Sequence, residues 1–280
     1  MLGTNRDGSA AADSSRALLL TLLGEFVLPT GGSAWTKTIV AAAETLGIRD
    51  KAARQALARM NDRGWLERVR VGRQTRWSLS QRSRDLLESG AERIYTFGTN
   101  AEPWDRRWVV LLASVPERDR HLRYRMASGL RWAGFGTLGN GTWISPWLDH
   151  EVIAADLLQD LGVQATSFRA EVGDLGSPTD LVAQAWDLSA LRQAYVDFLT
   201  DVERLDRQGS VGLTAVAGLA GLVHRWRRFP LIDPDLPAAL LPLDWPGTEA
   251  AQRFGELRTV LRVPALQWWQ SSEARSAPRG

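Results

Sequence analysis

The sequence predicts an α+β chain of several domains, and three shifts of pattern carry that reading. Residues 36–79 read as two short helices followed by a basic two-stranded hairpin. Residues 104–175 alternate strand-length apolar runs with amphipathic helices, broken by glycines. From residue 178 onward the apolar spacing is helical. The expected domains are therefore 13–90, 104–175 and 178–270.

The polar stretch Met1–Ala12 is expected to be disordered. Asp13 or Ser14 is placed to cap a helix reaching about Leu28, with Leu18, Leu19, Leu22, Leu23 and Phe26 on one side. Pro29, Thr30, Gly31 and Gly32 break it. Thr36–Leu46 is the next helix, stopped by Gly47, and Asp50–Arg63 the one after, stopped by Gly64. In the latter, Ala53, Ala56, Leu57 and Met60 recur at helical spacing and form a core face. Lys51, Arg54, Gln55 and Arg59 are left on the other side. Leu66–Leu79 alternates with period two about Gly72-Arg73, whose leading glycine suits a type II′ turn. Val69 and Val71 alternate with Arg68 and Arg70; Thr75, Trp77 and Leu79 alternate with Arg76. Arg68, Arg70, Arg73 and Arg76 are thus expected on the solvent face or the tip. Gln81–Ser89 reads as a short exit helix and Gly90–Pro103 as a linker.

Helix, tight turn, basic helix and basic wing is the plan of a winged helix-turn-helix. Such a helix fits the major groove, where Arg pairs with guanine and Gln with adenine, while wing arginines follow phosphates or enter the minor groove. Charge supports double-stranded DNA as the partner. Residues 49–84 hold eleven Lys or Arg and three acids, a local +8 in a chain of net +2.

The middle segment begins with a buried-strand run, Arg107–Val115, stopped by Pro116. Glu117–Ala133 is a basic amphipathic helix, Gly134–Pro146 a set of glycine-broken strands, Asp149–Leu161 a second helix and Gln164–Val172 a further strand. That order suggests a ferredoxin-like sandwich. Beyond Pro178, Leu191, Tyr195, Phe198, Val202 and Leu205 mark one helix; Val211–Arg228 and Thr248–Arg262 are two more, joined by a proline-rich connector, Pro230–Pro246.

The exclusions are broad. With no cysteine there is neither disulfide nor thiolate metal site, which fits a reducing cytosol. No signal-peptide core is present, and the longest weakly polar run, Val211–Val223, is too short to span a bilayer. The chain is therefore expected to be cytoplasmic, with no membrane partner. His121, His150 and His224 are isolated, and no nucleotide-binding or hydrolase fingerprint occurs, so neither catalytic residue, metal nor cofactor is expected. Thirteen tryptophans are unusual, and most are expected in cores. Trp132 and the run His224, Arg225, Trp226, Arg227, Arg228 are candidates for holding an aromatic, phosphate-bearing effector.

The chain resembles the PaaX family of bacterial repressors of phenylacetic acid degradation. The carrying segments are Ile48–Trp65 with Val71–Arg73, Trp108–Pro116, Gly134–Pro146 ending in WISP, and FPLIDPDLPAALLPLDWPG at Phe229–Gly247. The resemblance implies a winged helix, a central dimerisation domain shaped like Cas2 and a helical C-terminal domain. It also implies a homodimer on a palindromic operator, released by an aromatic acyl-coenzyme A. Arg54 and Gln55 match the family's RQAL segment, and Arg73 its wing tip. Arg49 stands where the family commonly has Ser or Thr, so no operator sequence carries over.

Two rivals remain at this level. One is a Mg²⁺ nuclease on the Cas2-like fold, but Ser114 occupies the position of the expected metal-binding carboxylate. The other is a constitutive DNA-binding protein without an effector.

Overall fold

The computed structural model describes residues 15–98, 103–207 and 211–278. The expected disorder of Met1–Ala12 and the cap at Asp13 or Ser14 lie outside them. In chain order, a helix over residues 15–22 (α1) widens into a π-helical turn, Leu23–Val27, and ends in a 3-10 turn, Leu28–Thr30. Then follow β1 (Ser33–Trp35), α2 (Thr36–Thr45), α3 (Asp50–Asp62), β2 (Leu66–Val71), β3 (Gln74–Leu79) and α4 (Gln81–Thr96). The middle holds β4 (Trp108–Ala113), α5 (Arg120–Trp132), β5 (Gly136–Gly139), β6 (Thr142–Ser145), α6 (His150–Asp160) and β7 (Ala165–Ala170). The remainder is α7 (Pro178–Ala185), α8 (Leu188–Arg207), α9 (Gly212–Trp226), α10 (Phe229–Ile232), a 3-10 turn (Ala238–Leu240) and α11 (Pro246–Ser276).

These elements pack into two units. The first takes the chain up to Thr96 together with Phe198–Arg227 and the chain from Gln252 onward; the second takes Phe97–Asp197 and Arg228–Ala251.

In the first unit, Phe26 stacks on Trp269 at 5.0 Å and Trp226 on Phe254 at 4.7 Å, all four buried. Offset aromatic pairs of this kind add about 0.5–1.5 kcal/mol beyond the area they bury. α4 runs through Gly90, where a linker was expected. Its last turn is held because the Trp226 indole donates to the Ile94 carbonyl at 3.0 Å and Tyr95 packs beside Phe254. α11 likewise continues past Arg262 and through Pro264, because Ala265, Trp269, Ser272 and Ser276 form a buried stripe at helical spacing. That stripe meets α2 and β1: the Trp35 amide donates to the Glu273 carboxylate at 3.0 Å, and the Ser272 hydroxyl donates to Thr38.

One charge lies inside this apolar packing. Glu25, in the π-helical turn, is 7% exposed. Burial pushes its carboxyl up to about 7, against a lowering pull from Arg258 and Arg262 on α11.

In the second unit, the sheet order is β5-β6-β4-β7, antiparallel throughout. With α5 and α6 between strands, this is the ferredoxin-like β-α-β-β-α-β topology. Val109, Leu111 and Trp143 face Met126, Leu130, Ala154 and Leu158 of the helices. Trp108 and Ile144 face Val182, Leu236 and Leu240 on the other side. Gly136 lets Trp186 approach: a Cβ there would lie 2.5 Å from the indole. The proline-rich connector is ordered by buried polar groups. The Tyr195 hydroxyl donates to the Asp233 carboxylate, and the Trp147 indole donates to the Asp235 carbonyl at 2.8 Å. The FPLIDPDLP segment is therefore a structural strap, with the Asp233 carboxyl raised by burial.

Candidate nucleic-acid interface

Two glycines set the position of α3. Gly47 (φ +80°) and Gly64 (φ +70°) end α2 and α3 in the left-handed region that an L side chain rarely adopts. Both ends are Schellman motifs: Ile48 N–H bonds Ala43 O and Gly47 N–H bonds Glu44 O, while Trp65 N–H bonds Met60 O and Gly64 N–H bonds Asn61 O. Ala53, Ala56, Leu57 and Met60 are buried, so the opposite face of α3 is presented outward. Lys51, Arg54, Gln55, Ala58 and Arg59 are all exposed there. Arg54 is held by a bidentate pair with Asp50, at 2.7 and 3.0 Å. The hydrogen bond from Arg54 holds the Asp50 carboxyl below its ordinary range.

The hairpin register is Leu66↔Leu79, Arg68↔Trp77, Val69↔Arg76 and Arg70↔Thr75. Gly72 has φ +60° and Arg73 is not in the left-handed region, as a type II′ turn requires. Directly paired residues share a face. Arg68 and Arg70 therefore share a face with buried Leu66, Trp77 and Leu79. The Trp77 indole donates to the Thr36 hydroxyl of α2 at 2.8 Å, so this is the face turned toward the helices. Both arginines are nonetheless exposed, as is Arg73 at the tip.

The expected common solvent face for all four wing arginines is corrected by this register. Arg76 lies on the opposite side of the hairpin from Arg68 and Arg70. It sits 5.3 Å over the Trp35 ring, and its charge offsets part of the rise that burial imposes on the Glu273 carboxyl. The Val69 and Val71 side chains on the same face as Arg76 are exposed rather than buried. Strand alternation separates two faces but does not say which one meets the core. The Trp77–Thr36 bond decides it.

The effector candidates fall in different places. Trp226 is 1% exposed and packed among Phe198, Phe254 and the Ile94 carbonyl, so it is a core residue and not a pocket wall. His224 shares a hydrogen bond with Thr21 at 3.3 Å, and Arg225 pairs with Asp201 at 2.9 Å. Arg227 is half-buried. Trp132 and Arg228 belong to the second unit, where both are exposed. Ser114 is exposed at the end of β4, beside Gly141. Among the described residues, no group of three or more His, Cys, Asp or Glu is arranged to hold a metal ion. None of the described helices is long and apolar enough to cross a membrane.

Glu25 was missed by sequence reasoning. The signal was available, since it is the one charge in the run Leu18–Pro29.

Three family models match in succession: a PaaX-like protein model over residues 14–83, the PaaX protein central Cas2-like domain over 101–182, and the PaaX-like protein C-terminal domain over 186–271. The chain belongs to the PaaX family. Among curated proteins it is 29% identical over 255 residues to the transcriptional repressor PaaX of Escherichia coli (strain K12), covering 87% of this chain and 79% of that protein. Among solved structures, the uncharacterised protein Rv0674 from Mycobacterium tuberculosis matches with a TM-score of 0.63 at 23% identity, over 92% of this chain and 98% of that one. The latter match shows that the two proteins share a fold over nearly the whole chain.

Proposed function

We propose that this protein is a non-enzymatic transcriptional repressor whose first unit contains a winged helix-turn-helix. α3 enters the major groove with Lys51, Arg54, Gln55 and Arg59, and the wing lays Arg68, Arg70 and Arg73 along the adjacent backbone. The observation that carries this reading is the outward face of α3. It holds three cations and a glutamine, opposite a face of buried Ala, Leu and Met. Ala58, at the middle of that face, leaves room for base edges. The name of the Escherichia coli relative supports repression.

Two copies would place two such helices on the half-sites of a palindromic operator, since a two-fold protein reads a two-fold site. An aromatic acyl-coenzyme A releases the DNA, and the regulated genes serve breakdown of an aromatic compound such as phenylacetate. Support for this effector comes from the family resemblance and from a cavity of about 520 Å³ in the second unit. That cavity is walled by Arg131, Phe135, Trp186, Leu191 and Leu231, and is large enough for an aromatic acyl group. Tryptophan fluorescence titrated with acyl-coenzyme A thioesters tests it. A flat response across the thioesters, beside tight DNA binding, leaves a constitutive binder.

The wing makes a graded prediction. Arg73→Ala should lower the slope of log binding constant against log salt by about one phosphate contact, near 0.9. Arg76→Ala should leave that slope unchanged and lower the unfolding midpoint instead, because its partners are Trp35 and Glu273. Equal loss of slope in both variants would show that Arg76 reaches DNA.

A further inference from the structure

The first unit contains a cavity of about 220 Å³ on which the DNA-binding surface does not draw. Three helical segments wall it: α1 with its π-helical turn, α4 and α9. Leu20, Leu87, Ile94 and Val223 give it an apolar lining, and Glu25 and Arg227 are the charged residues on it. Its space follows from the sequence. Gly24 and Gly90 both line it without side chains; a Cβ at Gly90 would meet no atom within 4 Å, and one at Gly24 would meet only Leu87, at 3.5 Å. π-helical turns are rare in proteins and recur at functional sites, and the one at Leu23–Val27 carries both Gly24 and Glu25.

Arg227 is the informative group. It is half-buried, and the removal of water lowers its pKa with no compensating partner. No carboxylate pairs with it among the described residues, whereas neighbouring Arg225 has Asp201 at 2.9 Å. A guanidinium drawn onto an apolar wall without a counter-ion is unfavourable unless an anion joins it. Its planar donors suit a carboxylate. Glu25 does not fill that role: its carboxylate oxygen lies 4.0 Å from Arg258, which itself sits 3.7 Å over the Tyr95 ring. With its pKa near 7, Glu25 is largely protonated in mildly acidic solution and can donate a hydrogen bond instead of repelling an anion.

We propose that this cavity binds a small carboxylic acid with an apolar body, its carboxylate on Arg227 and its body against Leu20, Leu87, Ile94 and Val223. Size limits the ligand. An engineered cavity of about 150 Å³ takes benzene, so this one takes a single ring or short chain with its acid group, and excludes a coenzyme-bound thioester. It is thus a second ligand site, independent of the acyl-coenzyme A reading. Occupancy would be felt at the wing, because the start of α4 is fastened to the hairpin base: Ser80 Oγ donates to Gly64 O at 2.8 Å and Ser83 Oγ to Trp65 O at 2.6 Å.

Calorimetric titration of the full chain at pH 6.5 with benzoate, 3-phenylpropionate and hexanoate, each beside its amide, tests the site. At least one acid should bind tenfold or more tightly than its amide. Arg227→Gln should abolish that preference, and Gly90→Leu, which fills the space with a good helix former, should abolish binding of acid and amide alike. Circular dichroism verifies the fold of each variant, and the wild-type acid-against-amide comparison decides the matter even if a variant misfolds. Absence of binding by every acid, equal binding of acids and amides, or an unchanged preference in a folded Arg227→Gln protein overturns the proposal. None of these readouts involves DNA, so failure of the repressor reading is separately visible.

Discussion

Arg54→Ala should weaken binding to a specific operator by about 1–3 kcal/mol, roughly 5- to 150-fold, while non-specific binding falls far less. The difference arises because a guanidinium bidentate to a guanine edge carries sequence information that a phosphate contact does not. In the unbound protein Arg54 already presents its fork in a bidentate pair, with Asp50 one helical turn earlier. Both side chains are about half exposed, so solvent screens the pair and it adds little to stability. Exchanging Asp50 for a guanine edge therefore costs little, while the pair keeps the arginine extended along α3 beforehand. Gel-shift titrations on specific and random duplexes at one salt concentration measure both terms. A uniform loss on the two duplexes would mean that Arg54 meets phosphate, and no loss on either would remove α3 from the interface.

Glu25→Gln should stabilise the protein at pH 8 by roughly 3 kcal/mol relative to pH 4.5, the equivalent of the distance between its ordinary pKa of 4.5 and its folded value of about 7. The sign follows from proton binding. Between pH 4.5 and pH 7 the folded chain holds a proton on Glu25 that the unfolded chain has released. The wild-type protein therefore loses stability as pH rises through that window, and is fully free of the penalty only below it. Glutamine keeps the shape and hydrogen-bonding capacity of the protonated acid and has nothing to ionise. Denaturant titrations of both proteins at pH 5 and pH 8 read the effect as a widening gap in favour of the variant. A gap independent of pH would mean that Arg258 and Arg262 hold Glu25 ionised in the fold.

The parts of the fold that were legible in the sequence are those fixed by local chemistry. Gly47 and Gly64 end α2 and α3 because only a left-handed residue completes the caps, and the apolar spacing between them fixes the buried face of α3. Gly72-Arg73 sets the hairpin register for the same kind of reason. The ferredoxin-like order of the middle segment follows from strand-length runs interrupted by amphipathic helices.

What the sequence left open depends on partners distant in the chain. Which face of the hairpin meets the helices is decided by the Trp77–Thr36 bond across 41 residues, so alternation alone does not separate Arg76 from Arg68 and Arg70. Trp226 sits in a cationic run that resembles a ligand site, yet Phe254 and Ile94 bury it. Glycine disfavours helix, so Gly90 reads as an end to α4, whereas packing of Ile94 and Tyr95 carries the helix on to Thr96. α8 and α11 each contribute to both units, and helical periodicity is silent about where along a helix its partners change.

The central claim is that the outward face of α3, with the wing, reads DNA sequence as a two-fold pair. Selection of bound duplexes from a random pool, run in parallel with wild type and Arg54→Ala, tests it most directly. The expected result for wild type is an inverted repeat whose half-sites lie about one helical turn (roughly 10–10.5 base pairs) or a multiple of it apart. The Arg54→Ala pool should keep the spacing and lose a guanine from each half-site. Recovery of no enriched sequence, or of the same motif in both pools, would contradict the claim.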